Sequence, residues 1–272
     1  MIENRIRTSR QAGEPVINGW LSMGNAFAAE VLAEQGFDSL TVDMQHGLNE
    51  LGNAVAMFQA IRASGVVPVA RVPWLEPGIV MKALDVGALA VICPMINNRE
   101  QAERLVSYMR YPPGGVRSFG PTRAAISAGP DYAREANRQV MSLAMIETLE
   151  AYDNIDDIVA TPGLDGIYIG PADLTIGLTN GRLAPGFDRE EEELVAAIRR
   201  ILDAAKKAGL LAGLHCGAPE YAAKAIGWGF DLVTISTDAR LLAEIAARKV
   251  ARVRALVSGD DEVAGDQANS SY

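Results

Sequence analysis

The sequence predicts an α/β fold, a single (β/α)8 TIM barrel. Three observations carry that expectation. Eight short apolar runs alternate with longer amphipathic stretches, the pattern of βα units feeding a parallel sheet. Glycine stands just before six of those runs, at Gly36, Gly65, Gly87, Gly163, Gly209 and Gly229. It is favoured there because a helix commonly ends in a left-handed residue. The chain has 272 residues, near the ~250 typical of this barrel.

The expected strands are residues 16–20, 39–43, 67–72, 88–93, 143–147, 166–170, 210–215 and 232–236. Between them, Ala54, Val55, Phe58 and Ile61 recur at helical spacing, as do Leu194, Ala197, Ile198, Ile201 and Leu202. An open doubly wound sheet is the alternative. It calls for a glycine-rich phosphate loop after the first strand, and Leu21-Ser22-Met23-Gly24-Asn25 lacks one. Residues 111–130, rich in Pro and Gly, and residues 177–188 read as long loops, of the kind used as lids or subunit contacts. Residues 1–257 are expected to form the barrel domain. Residues 258–272 read as a polar, acidic, disordered tail.

Net charge is -9, so nucleic acid is not an expected partner. The two cysteines, Cys93 and Cys216, form no CxxC and imply a reducing compartment without structural zinc. No stretch approaches the ~20 apolar residues needed to span a bilayer, and the N-terminus lacks a signal-peptide pattern. The expectation is a cytoplasmic protein with no membrane partner.

A barrel of this kind carries its active site at the C-terminal ends of the strands. Those ends hold Trp20, Asp43 followed by His46, Arg71, Glu147, the run Gly170-Pro171-Ala172-Asp173, and His215. The five lysines, Lys82, Lys206, Lys207, Lys224 and Lys249, all fall in expected helices, so no strand offers a Schiff-base amine. Carbonyl chemistry here must use a metal, an Arg, or both. Glu147 and Asp173 follow adjacent strands and can converge as an oxygen-only site for a hard ion such as Mg2+ or Mn2+. A solvated or salt-bridged carboxylate pair is the other reading. Arg71 offers a fixed charge and a bidentate fork for oxygen anions, or a structural ion pair with Glu76 or Asp85. His46 can act as a general base or be an ordinary hydrogen-bonded residue. Asp43 can orient His46 or cap the following turn. His215 is read as a structural histidine.

Asp43-Met44-Gln45-His46-Gly47, Arg71-Val72-Pro73, Met145-Ile146-Glu147-Thr148 and Gly170-Pro171-Ala172-Asp173-Leu174 occur in that order on the expected strands. Together they resemble the HpcH/HpaI family of class II pyruvate aldolases, barrels of the phosphoenolpyruvate/pyruvate superfamily, from about Trp20 to the last barrel helix. The resemblance implies metal-dependent aldol chemistry between pyruvate or hydroxypyruvate and an aldehyde. It implies Glu147 and Asp173 as ligands of Mg2+ or Mn2+, with Co2+ or Zn2+ as alternatives. It further implies Arg71 at the keto oxygen, His46 as acid/base, and Asp43 supporting the His46 loop. Asp85 would reach His46 from a neighbouring subunit of a hexamer whose last helix is exchanged. Backbone N–H groups of Ala172 and Asp173 would hold the pyruvate carboxylate. For the aldehyde pocket, Trp20, Tyr168 and Leu214 are the expected walls, with Arg123 meeting an acidic acceptor. Gln45 and Met145 depart from the family, which commonly has Glu and Gln there. The rival readings are a CoA-thioester lyase of malyl or citryl type, a phosphoenolpyruvate-using mutase or lyase, and a non-catalytic metabolite-binding barrel.

Overall fold

Residues 3–259 are described by the structure, a computed structural model. Helix α1 (Arg5–Ala12) precedes strand β1 (Val16–Leu21), and α2 (Ala26–Ala33) leads to β2 (Ser39–Asp43). Then come α3 (Leu51–Ala63), β3 (Val67–Arg71), α4 (Pro77–Asp85) and β4 (Ala90–Cys93). Three helices, α5 (Arg99–Met109), α6 (Ala124–Ala128) and α7 (Tyr132–Gln139), separate β4 from β5 (Met141–Ile146). Helices α8 (Leu149–Asp153) and α9 (Ile155–Val159) lead to β6 (Gly166–Ile169). Helices α10 (Pro171–Thr179) and α11 (Glu192–Lys207) precede β7 (Leu211–Cys216). Helix α12 (Pro219–Trp228), β8 (Leu232–Thr237) and α13 (Asp238–Ser258) follow. The strands close in sequence order into an eight-stranded parallel barrel. Each expected run forms a strand, with ends moved by at most two residues.

All six punctuating glycines have positive φ, from 71° to 115°. Gly209 is representative. Its N–H donates to the Lys206 carbonyl at 3.0 Å, and that of Leu210 donates to the Ala205 carbonyl at 2.9 Å. This double bond set closes α11 and needs a left-handed residue between the helix and β7.

Strand side chains alternate between two cores. Leu40, Val42, Ala70, Ala144, Ile146, Ile167, Ile169, Ala212 and Leu214 pack outward into the layer shared with the helices. Trp20, Val69, Leu143, Met145, Tyr168 and Leu211 fill the barrel interior. This period of two decides what reaches the mouth. On β7, Leu211, Gly213 and His215 face in, so Leu214 faces the helices. On β5 the same count puts Glu147, two residues past Met145, at the upper rim.

Three features differ from expectation. Helix α1, mostly polar and missed by a search for apolar periodicity, drives the fully buried Ile6 into the interior core. Residues 111–130 are not all loop, because α6 forms within them. Gly177 lies inside α10, so the second loop begins only after it. The expected tail lies, from residue 260 on, outside the described residues. No helix among the described residues is long and apolar enough to cross a membrane.

Candidate active site

A cavity of about 300 Å³ opens at the C-terminal ends of the strands. It is lined by Trp20, Ser22, Asp43, His46, Arg71, Met145, Gly170, Pro171, Ala172, Asp173, Phe187, His215 and Thr237.

Part of its lining is a charged clamp. Arg71 Nε donates to Asp43 Oδ1 at 2.8 Å, and Nη2 donates to Oδ2 at 2.6 Å. Both side chains are buried. Trp20 Nε1 adds a bond to Asp43 Oδ2 at 3.2 Å, and its ring lies under the guanidinium at 4.8 Å. The N–H groups of Gln45 and His46 donate to Asp43 Oδ1, so Asp43 caps the turn that carries His46. Burial pushes the Asp43 carboxyl up, but the paired guanidinium and the two turn N–H bonds outweigh it and hold it below the usual range. The ion pair anticipated for Arg71 with Glu76 or Asp85 is thus with Asp43, its parallel neighbour across β2 and β3.

Glu147 is 2% exposed and accepts a bond from the Met95 N–H at 2.9 Å. Met95 has φ 56°, left-handed for a non-glycine residue, at the turn that aims that N–H. Burial raises the Glu147 carboxyl to about 7; the Met95 bond opposes this, and the negative charge of Asp173 adds to it. Asp173 stands in the first turn of α10, behind Gly170 at the N-cap and Pro171. Helix starts leave N–H groups without intrahelical partners, so those of Ala172 and Asp173 can receive an anionic oxygen.

A divalent cation fits this pair. A carboxylate pushed towards neutrality chiefly by burial, with a second carboxylate adding to it, is what a cation between them would relieve. The donors are all oxygen, suiting a hard ion. Two protein ligands alone would leave positions open on such an ion for water and substrate oxygens. Gly170 guards the geometry, since a Cβ there would lie 2.7 Å from Glu147 Oε2 and 2.5 Å from Met145 Cε. We expect Gly170→Ala to displace the carboxylate and weaken Mn2+ binding at least ~10-fold, measured by titration, with the fold kept.

A family model for HpcH/HpaI aldolase/citrate lyase matches residues 17–244. The chain belongs to the HpcH/HpaI aldolase/citrate lyase family. It is 40% identical over 253 residues to a hydroxypyruvate/pyruvate aldolase of Rhizorhabdus wittichii, covering 93% of this chain and 100% of that one. It is 34% identical over 256 residues to a 4-hydroxy-2-oxo-heptane-1,7-dioate aldolase of Shigella flexneri, covering 92% and 93%. Among solved structures, an HpcH/HpaI aldolase/citrate lyase family protein from Burkholderia cenocepacia superposes with a TM-score of 0.85 at 33% identity, covering 92% of this chain and 99% of that one. HpcH/HpaI membership makes the protein a carbon–carbon lyase, and the family is typically divalent-metal dependent.

Three residues named from sequence for the aldehyde pocket lie elsewhere, and Asp85, expected to act from a neighbouring subunit, lies outside this chain's own cavity. Leu214 faces the helix layer and does not line the cavity. Tyr168 is fully buried one layer below it, on Gly213, where a Cβ would clash at 2.8 Å. Arg123 stands at the N-cap position of α6 and its side chain donates to the Val86 carbonyl at 2.5 Å, away from the cavity. Asp85 ends α4, outside the cavity lining, with its carboxylate on the buried Arg117 at 2.7 Å. The sequence reading missed Ser22, Thr237 and Phe187. Thr237 extends β8 by one residue past the expected end, and Phe187 is an aromatic in a rim loop, a signal that was open to use.

Proposed function

We propose that this aldolase makes and breaks the C3–C4 bond of 4-hydroxy-2-oxo acids, with pyruvate or hydroxypyruvate as donor and an aldehyde as acceptor. The observation that carries the reading is the buried Glu147 carboxylate converging with Asp173 at a mouth already holding a clamped guanidinium. With every lysine on a helix, no amine serves in its place. The ion proposed is Mg2+ or Mn2+, with Co2+ or Zn2+ as alternatives, held by Glu147 and Asp173. Bound there, such an ion polarises the donor carbonyl as a Lewis acid.

The chain's own groups take the remaining tasks. The N–H groups of Ala172 and Asp173 hold the donor carboxylate. Arg71 donates to the keto oxygen, where negative charge gathers when C3 becomes a nucleophile, and Asp43 keeps the guanidinium fixed. His46, exposed on the turn that Asp43 caps, moves the proton at the C4 oxygen, directly or through a water. Asp85 is proposed to support His46 from a neighbouring subunit. A hexamer with α13 exchanged is supported by the apolar side chains that helix leaves exposed, among them Leu242, Val250, Val253 and Val257. A cytoplasmic setting is supported by Cys93 and Cys216, both free and buried.

Proton exchange of the pyruvate methyl group in D2O tests the reading. Exchange without any aldehyde, requiring Mn2+ or Mg2+, is expected. No exchange with any divalent ion would sink it.

A further inference from the structure

We propose that His215 donates a hydrogen bond, from Nε2–H, to a hydroxyl oxygen on the aldehyde half of the substrate, so that a short hydroxyaldehyde is preferred over its deoxy isostere. This rests on the aldolase reading above and adds the acceptor class to it. His215 lines the cavity yet is 6% exposed, and its Nε2 has no hydrogen-bond partner. The other ring nitrogen, Nδ1, lies 3.0 Å from the Tyr168 hydroxyl, which sits in the barrel interior beneath the mouth. Nε2 is therefore on the edge away from Tyr168, and it is itself buried. The half-buried Phe187 ring, which also lines the cavity, tilts against the imidazole with centroids 4.6 Å apart, so the substrate oxygen reaches Nε2 as that ring gives way.

The proton on the ring follows from hydroxyls below it. Ser39 and Thr41 both donate to Asn18 Oδ1, at 2.8 and 3.0 Å. Turning the Asn18 amide over would leave two buried hydroxyl hydrogens without an acceptor among the bonds of the described residues. With the amide so fixed, Asn18 Nδ2 donates to Thr234 Oγ1 at 2.9 Å. The Thr234 hydroxyl then spends its hydrogen on the Tyr168 oxygen at 2.6 Å, and Tyr168 spends its own on His215 Nδ1. Running the chain the other way strands the Thr234 hydrogen in a site with no solvent access. The ring thus carries its proton on Nε2. Burial, with the positive charges of Arg71 and Arg240 against the opposing charge of Asp43, keeps it neutral by pulling its pKa to about 3. A neutral N–H here is a fixed donor awaiting an oxygen.

The barrel order places that oxygen on the acceptor. Arg71 stands on β3, and Glu147 and Asp173 follow β5 and β6, so the donor ketoacid occupies the β3–β6 side. His215 on β7, Thr237 on β8 and Trp20 on β1 line the opposite side, left for the aldehyde.

The chain has two histidines, so two-bond 1H–15N correlation spectra of the labelled protein contain two rings, and His215→Gln assigns them. We expect His215 protonated on Nε2 alone, and Tyr168→Phe to mix the tautomers. A proton found on Nδ1 overturns the donor assignment. With pyruvate as donor, the ratio of kcat/KM for glycolaldehyde over propanal is expected to exceed tenfold. It should fall towards one in His215→Leu and be partly kept in His215→Gln, which retains an N–H. A ratio unmoved by His215→Leu overturns the proposal. Turnover of neither aldehyde by the wild type, with pyruvate or with hydroxypyruvate as donor, sinks the aldolase reading and the acceptor assignment with it, whereas Nδ1 protonation sinks the donor assignment alone.

Discussion

Glu147→Gln is expected to lower turnover at least ~10³-fold, about 4 kcal/mol of barrel-mouth chemistry, and to abolish saturable Mn2+ binding. The same substitution changes stability in a direction set by the carboxyl's raised pKa. In the folded protein Glu147 takes up its proton near 7, against 4.5 as the ordinary value. Between those values the native state binds more proton than the unfolded chain. Metal-free wild-type protein therefore loses stability as pH rises through that window, by about 3 kcal/mol in total. Glutamine keeps an acceptor for the Met95 N–H but carries no proton to lose. The wild-type stability relative to Glu147→Gln should fall from pH 4.5 to 7 in urea titrations of metal-free protein. The lowered pKa of His215 acts oppositely, losing stability as pH falls, but is common to both proteins and cancels in the difference. Cation binding must expel the Glu147 proton, so apparent Mn2+ affinity should rise with pH up to about 7 and then level. A pH-independent stability difference would show that the carboxyl is not raised, and full activity with normal Mn2+ binding in the variant would remove Glu147 from the metal site.

The barrel was legible because two local rules repeat along the chain. Helix-ending glycines and apolar runs are each set by backbone sterics and burial within a few residues. The mouth was legible where a charged residue follows directly on a buried strand, because a charge seldom survives there without a task or a partner. Arg71, Asp43 and Glu147 are of this kind, while Asp173 stands four residues past β6 in the first turn of α10. What failed was pairing and depth. The partner of Arg71 comes from the register of β2 against β3, which no spacing in one strand reveals. Leu214 was misplaced for a different reason, since the period of two on β7 assigns it outward as soon as His215 is taken inward. Arg123 sits where the path of the chain between α5 and α6 carries its guanidinium to the Val86 carbonyl at the end of α4, a long-range fit without a sequence signature. The role of Met95 is the least legible, because a main-chain N–H has no side chain to announce it.

Arg71→Ala is expected to cut metal-dependent exchange of pyruvate protons by about 10²–10³-fold, the usual cost of removing one preorganised donor from a developing oxyanion. It should also destabilise the fold by about 3–5 kcal/mol, because Asp43 is left as a buried, unpaired carboxylate. These two losses must be separated before the first is read as chemistry. Arg71→Lys does so. An ammonium restores a positive charge beside Asp43 and recovers much of the stability, but it is a point charge and cannot replace the parallel bonds that Nε and Nη2 make to both carboxylate oxygens. The guanidinium's spare N–H groups and its seat on Trp20 are lost with it. We therefore expect Arg71→Lys to be near wild type in urea unfolding and still down about 10²-fold in exchange rate at saturating pyruvate. The loss should lie in the exchange rate constant and not in the aldehyde KM, since exchange needs no aldehyde. A variant with normal exchange and a raised aldehyde KM would move Arg71 from the donor's carbonyl to the acceptor.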